Sequence, residues 1–281
     1  MTEFPLPSSS DQPELIDPND FPSWIVEEDD RVLAINKPGL VVCHPSKNGP
    51  WSSLVGAARE YLQQDLVHLV HRLDRETSGI CLLAKDKLAA RHSQMAFQNH
   101  QVSKEYVAVV EGEFKESVHL NTHLAKDLES EVYIKQAVRK SHSSKRAETD
   151  FEPLLSRNGF SLVKVVPKTG RKHQIRIHAA HLGHPIVGDK LYGPDDRHYL
   201  EFIENGYTAN LAEALGFHRH ALHAFRIHFN APEFERSFFA PLQPDLVQLI
   251  VTRMDCDLEA LEKLVYQGDS LKQEKTEETE N

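Results

Sequence analysis

Seven short runs of strand-like residues that do not alternate regularly with helices limit this chain to a small set of architectures. They are RVLAIN (31–36), SGICLLAK (78–85), KEYVAVVEG (104–112), EVYIKQAV (131–138), AETDFEPL (147–154), FSLVKVVP (160–167) and ALHAFRIHF (221–229). Each has the alternation or the β-branched content that suits a pleated surface. Helical signals are fewer. DKLAARHSQMAFQNH begins at Asp86, an N-cap residue type, and RKHQIRIHAAHLG stops at Gly183, the type that ends helices. PDLVQLIVTRM and DLEALEKLVYQG predict two C-terminal helices. A doubly wound parallel sheet needs a helix between successive strands, and this order lacks it. The expectation is an α+β fold on a mixed, largely antiparallel sheet flanked by helices.

The 281 residues are enough to bury a sizeable core. The first twenty are rich in Pro, Ser and acid and the last fifteen are polar, so residues 1–21 are expected to be a disordered acidic leader and 267–281 a disordered tail. One domain is expected between them, over 22–266. The net charge of −10 is concentrated at the ends. Residues 1–30 hold nine acids and no Lys or Arg, and 267–281 hold five acids against two lysines, which leaves 31–266 near +2 with all 17 histidines. Net charge therefore does not exclude a nucleic-acid partner; the placement of the bases decides. No run is long and apolar enough to span a membrane, and MTEFPLPSSSDQPE lacks the parts of a signal peptide. Cys43, Cys81 and Cys256 are far apart and odd in number, which suits a reducing, cytoplasmic setting.

Four stretches carry chemistry. HRLDRETSG (71–79) places His71, Arg72, Asp74 and Arg75 between two apolar runs; the plain alternative is a surface turn with an ordinary salt bridge. In TGRKHQIRIHAAHLGHPIVGDKLYG (169–193), a helix over 172–182 would point Ile175, Ala179 and Leu182 inward. Arg176 would then lie at the edge between core and solvent, where a guanidinium can be held against a carboxylate. His173, His178, His181 and His184 cluster in the same segment, but no HExxH, nearby Cys or suitably spaced carboxylate supports a metal site. KEYVAVVEG puts Tyr106, Ala108 and Val110 on one face of a strand, and NKPGLVVCHPS (36–46) contains the turn Lys37-Pro38-Gly39.

In order and spacing these four stretches resemble the motifs of the RluA class of RNA pseudouridine synthases, from about Asp30 to Phe229. The resemblance implies a form without the N-terminal S4 RNA-binding module found in some members. It also implies that Asp74 is the catalytic aspartate, Tyr106 the aromatic residue against the target base, Arg176 the basic partner of Asp74, and Leu222 an apolar residue of the pocket. Arg72 and Arg75 would hold phosphates or fill the space left by a flipped base, with His173 and Lys37 as further RNA contacts. The implied reaction is the isomerisation of uridine to pseudouridine in structured RNA, ribosomal and/or transfer RNA. It implies no metal, no organic cofactor and no membrane, and a monomer as the working unit. Two other classes stay open at this point: an RNA-binding or folding factor of the same fold without catalysis, and a hydrolase built on an Asp–Arg pair.

Overall fold

The computed structural model describes residues 15–44 and 48–267. Residues 1–14 of the expected leader and 268–281 of the expected tail lie outside that range. The elements are β1 (Ile25–Glu28), β2 (Val32–Lys37), α1 (Leu54–Leu62), β3 (His68–Leu69), β4 (Ser78–Ala84), α2 (Lys87–Gln98), β5 (Val102–Glu111), β6 (Val118–Lys126) and β7 (Gln136–Val138). They continue with β8 (Lys145–Arg157), β9 (Phe160–Pro167), α3 (Gln174–His181), α4 (Arg197–Asn205), α5 (Ala209–Leu215), β10 (Leu222–Ala231), β11 (Phe234–Phe239), α6 (Pro244–Met254) and α7 (Leu258–Glu262).

The strands form one sheet in the order β1-β2-β4-β10-β5-β9-β8-β6-β7, with β11 on β10 and β3 on β4. Every named pairing is antiparallel except β4 with β10, so the sheet is mixed and largely antiparallel, as the strand runs imply. That single parallel contact is short, His223↔Ser78 and Ala224↔Gly79. It places the start of β10 beside the end of the HRLDRETSG loop. Gly79, at φ +109°, is required there: a Cβ would come within 2.1 Å of the Ala224 carbonyl oxygen. The two residues before it also bond to the segment that leads into β10 and to its second residue. Thr77 Oγ1 lies 2.7 Å from His220 Nε2, and Ser78 Oγ lies 3.0 Å from His223 Nδ1. Because His223 Nε2 donates to the Ala240 carbonyl at 3.0 Å, its Nδ1 accepts and Ser78 donates. Thr-Ser-Gly is thus the seam that fixes the Asp74 loop to the sheet.

Two large cores flank the sheet. One joins β2, β4, α1 and the end of β10; the other joins β5, β9, α3, α6 and the start of β10. α2 is capped as its sequence suggests, with Asp86 Oδ1 accepting from Leu88 and Ala89, and Gly183 follows α3 with φ +82°.

Three sequence expectations need correction. Ile16 and Phe21 are buried, and the Ile16 amide donates to the Trp51 carbonyl at 2.7 Å. The folded body therefore begins inside the segment expected to be leader, because two apolar side chains outweigh its acidic composition. EVYIKQAV forms strand only at Gln136–Val138; Val132 is buried and Ile134 half-buried as anchors of a loop against Ile177 and Tyr192. The helix expected over 172–182 starts at Gln174. His173 stands outside it in the left-handed conformation, φ +55°.

Candidate active site

The loop carrying Asp74, strand β5 and helix α3 meet around a cleft of about 590 Å³. Among the residues that line it are Arg72, Asp74, Tyr106, His173, Arg176 and Leu222. Asp74, Tyr106, Arg176 and Leu222 are far apart in sequence, and the sheet order β4-β10-β5 brings them together. Tyr106 pairs with Ala224 on β10 and Val165 on β9, so its ring is set by the middle of the sheet.

Asp74 is partly exposed, and its Oδ2 accepts from Arg176 Nη1 at 3.2 Å, with His173 Nε2 3.9 Å away. Oδ1 has no hydrogen-bond partner among the described residues. Arg176 is buried and bidentate on Asp189: Nε donates to Oδ2 at 2.6 Å and Nη2 to Oδ1 at 2.8 Å. Its guanidinium also lies 5.0 Å from the Tyr192 ring centroid. Asp189 is itself fixed by the Leu191 and Tyr192 amides, which donate to Oδ1 at 2.9 and 3.0 Å. Burial works to raise the Asp189 carboxyl, but the charge and hydrogen bonds of Arg176 hold it well below the usual carboxylate range. Burial works against the guanidinium charge, yet Asp189 first and Asp74 next raise the Arg176 pKa above its ordinary value. Arg176 and Asp189 therefore both stay charged, and Arg176 cannot rotate away from Asp74 without giving up the fork.

α3 is held in place by Gln174. Its Oε1 accepts from Thr169 Oγ1 at 2.7 Å and from the Arg171 amide at 3.0 Å. Its Nε2 donates to the Glu148 carbonyl at 2.9 Å and to Thr149 Oγ1 at 2.8 Å. These bonds pin the 169–174 loop to β8. His173, between that loop and the helix, has Nδ1 2.9 Å from the Tyr192 hydroxyl. Burial, then the Arg176 charge, lowers its pKa to about 4 against the opposing pull of Asp74. Burial, reinforced by the Asp74 charge, pushes the Tyr106 phenol up. At neutral pH His173 is an uncharged imidazole and Tyr106 an uncharged phenol.

The remaining sequence candidates divide. Arg72 is exposed on the cleft. Arg75 is exposed but outside the cleft lining, and its Nε donates to the Leu40 carbonyl at 3.1 Å. Lys37, expected as an RNA contact, is not among the residues that line the cleft. It is fully buried, and its ammonium donates to the carbonyls of Pro38, Val41 and Arg75 at 2.8, 2.9 and 3.1 Å. These bonds link the Lys37-Pro38-Gly39 turn to the Asp74 loop, and burial lowers the Lys37 pKa to about 8. The four clustered histidines also separate. His178 lies between Thr122 and Thr149, and His184 lies on the Glu111 carbonyl. Among the described residues no three His, Cys, Asp or Glu converge as a metal site.

Sequence reasoning misses Asp189 and Tyr192. A usable signal exists: an arginine at a helix edge needs a carboxylate, and GDKLY supplies one thirteen residues on, before an aromatic that can stack on the guanidinium.

A family model described as RNA pseudouridylate synthase matches residues 31–181. The ribosomal large subunit pseudouridine synthase C of Vibrio parahaemolyticus serotype O3:K6 is 35% identical over 230 residues, covering 81% of this chain and 68% of that protein. The ribosomal large subunit pseudouridine synthase D of Zymomonas mobilis subsp. mobilis is 30% identical over 238 residues, covering 82% and 70%. Among solved structures, human RNA pseudouridylate synthase domain containing 4 superposes with a TM-score of 0.66 at 25% identity, covering 85% of this chain and 95% of that one.

Proposed function

The chain belongs to the RluA-like RNA pseudouridylate synthases, and from that premise we propose that it isomerises uridines in ribosomal RNA, with Asp74 as the reacting carboxylate. The observation that carries the assignment is the charge arrangement of the cleft. Among its lining residues Asp74 is the single carboxylate, and Arg72, Lys104, Arg171, Lys172 and Arg176 are cations. Arg176 is already balanced by Asp189. Arg72, Arg171 and Lys172 are exposed and Lys104 half-buried, which leaves four cations for phosphates. Ribosomal RNA is the substrate class because the relatives at 30–35% identity bear that name.

The reaction breaks the C1′–N1 bond of uridine, turns the uracil and forms a C1′–C5 bond. The proton on C5 leaves to solvent and N1 gains one, so atoms and electrons balance without a co-reactant. The target base must leave its stack to reach Asp74, and Arg72, next but one in the chain, is placed to fill the gap. Arg176 holds Oδ2 and keeps the carboxylate aimed, while Oδ1 stays free to meet the nucleoside. Tyr106 offers a flat face and Leu222 an apolar wall for the uracil while it turns. Phe97 and His71 also line the cleft, and neutral His71, lowered to about 3 by burial first, leaves Asp74 without a competing imidazolium.

The test is direct. Large-subunit ribosomal RNA transcribed with [5-³H]uridine is incubated with the protein, and released tritium and pseudouridine are counted. Conversion at discrete positions supports the reading. Binding without tritium release would identify a non-catalytic RNA factor, and free uracil or cleaved strands would identify a hydrolase.

A further inference from the structure

Glu76 is two residues beyond Asp74, and its three acceptor oxygens are all engaged. Oε1 accepts from Lys190 Nζ at 3.0 Å, Oε2 from the His220 amide at 3.0 Å, and the main-chain carbonyl from Arg219 Nη1 at 3.3 Å. Lys190 is nearly inaccessible. Its ammonium lies 4.8 Å from the Phe202 ring centroid and 5.4 Å from that of Tyr207, and it also donates to the His218 carbonyl at 2.8 Å. Lys190 follows Asp189 directly, and Asp189 holds the arginine that holds Asp74. The loop is thus gripped on both sides of its bend by neighbouring residues: Asp189 acts through Arg176 on Asp74, and Lys190 acts directly on Glu76.

We propose that Glu76 and Lys190 are a positioning pair that sets the conformation of the Asp74 loop, with the α4–α5 segment serving as the cage that keeps Lys190 aimed. A buried ammonium without its carboxylate would be strongly disfavoured, so the pair has one favourable arrangement rather than several. The Asp74 backbone is tied to the same turn, since its carbonyl accepts from the Thr77 amide at 3.1 Å. A shift of Glu76 therefore displaces the reacting carboxylate, and a reaction that depends on orientation slows. Neither side chain lines the cleft, so RNA affinity should not depend on them.

The inference rests on the pseudouridine synthase reading. Wild type, Glu76→Gln, Lys190→Met and the double variant are compared on tritium-labelled large-subunit ribosomal RNA, with kcat, KM and melting temperature from the same preparations. A fall of tenfold or more in kcat with KM within twofold, and a double variant no slower than the slower single one, is the expected result. Folded single variants whose kcat stays within twofold of wild type would overturn the proposal, even if their melting temperatures drop. Phe202→Leu loosens the cage without unpairing a charge and serves if the others do not fold. A kcat lowered about threefold supports the pair, and unchanged kcat and KM overturn it. Wild-type protein that releases no tritium overturns the functional reading instead, and the pair's role with it.

Discussion

Two buried arginines grip the HRLDRETSG loop, and they differ in what their remaining nitrogen meets. Arg176 and Arg219 each donate Nε and Nη2 to both oxygens of one aspartate, Asp189 and Asp245 respectively. Each guanidinium also lies near an aromatic ring, Tyr192 at 5.0 Å and Phe217 at 5.3 Å. Nη1 of Arg219 goes to the main-chain carbonyls of Glu76 and His220, whereas Nη1 of Arg176 goes to the Asp74 carboxylate. The first arrangement is scaffold: a neutral pair satisfying backbone. The second leaves one negative charge more than its cation balances, at the wall of a cleft. An Arg–Asp fork by itself does not declare function; the partner of the last N–H does.

The largest expected difference between the two forks is in stability. The Arg219 side chain is 0% exposed and Asp245 is its one carboxylate among the described residues, whereas Arg176, 9% exposed, also holds Asp74. Asp245→Asn strands a buried guanidinium and should cost about 3–5 kcal/mol. Asp189→Asn leaves Arg176 paired with Asp74 and should cost about 1–3 kcal/mol. Urea unfolding with unchanged m-values measures both, and equal losses would erase the distinction. Activity should separate the forks next. Arg176→Lys keeps the charge but loses the fork, and kcat should fall about a hundredfold, near 2.7 kcal/mol of barrier. Arg219→Lys should lower kcat less than tenfold in protein that remains folded. A greater loss from Arg219→Lys would reverse the assignment of scaffold and site.

In pH dependence the two regions should behave alike. His173 beside Arg176 and His223 near Arg219 are both lowered to about 4, burial being the first cause in each. The unfolded chain takes up these protons near pH 6.5 and the folded chain only near 4. The stability is thus fully present above 6.5 and lost as pH falls between those values. Replacing either histidine with Asn should flatten that limb by at most about 1.4 kcal/mol per pH unit. A variant with an unaltered limb would show that its imidazole is already charged in the fold. Below pH 4 the depressed Asp189 carboxyl adds a second loss, which Asp189→Asn should remove. The smallest effect is expected at Tyr106, which bonds to neither fork. Tyr106→Phe keeps the ring, so RNA affinity should stay within about twofold, near 0.4 kcal/mol. A tenfold loss would move Tyr106 from a stacking surface to a hydrogen-bonding one.

Much of this architecture is legible in the amino-acid sequence. The strand runs imply the mixed sheet, and the motifs locate Asp74, Tyr106, Arg176 and Leu222, which do share one cleft. Three misses have local causes. Lys37 reads as a surface base because a turn lysine usually is one; only the packing of the Arg75 carbonyl and the KPG turn buries it. β6, VHLNTHLAK, escapes notice because Asn, Thr and His interrupt its apolar pattern, yet it pairs along seven residues with β8. α1, LVGAAREYL, carries a glycine that lowers helix propensity but fits flat against the Pro50 carbonyl. Asp189 is hidden for a different reason: its partner is set by tertiary contact between α3 and the turn after it.

The central claim is that Asp74 does the chemistry and that Arg176 aims it. Asp74→Asn preserves the shape and removes the charge that Arg176 holds. Single-turnover tritium release from labelled large-subunit ribosomal RNA, with RNA binding and melting temperature measured on the same preparation, tests this most directly. The account predicts conversion at background, RNA binding as tight as wild type or tighter, and a folded protein. A folded Asp74→Asn variant that converts uridine within about tenfold of wild type, about 1.4 kcal/mol of barrier, would contradict it.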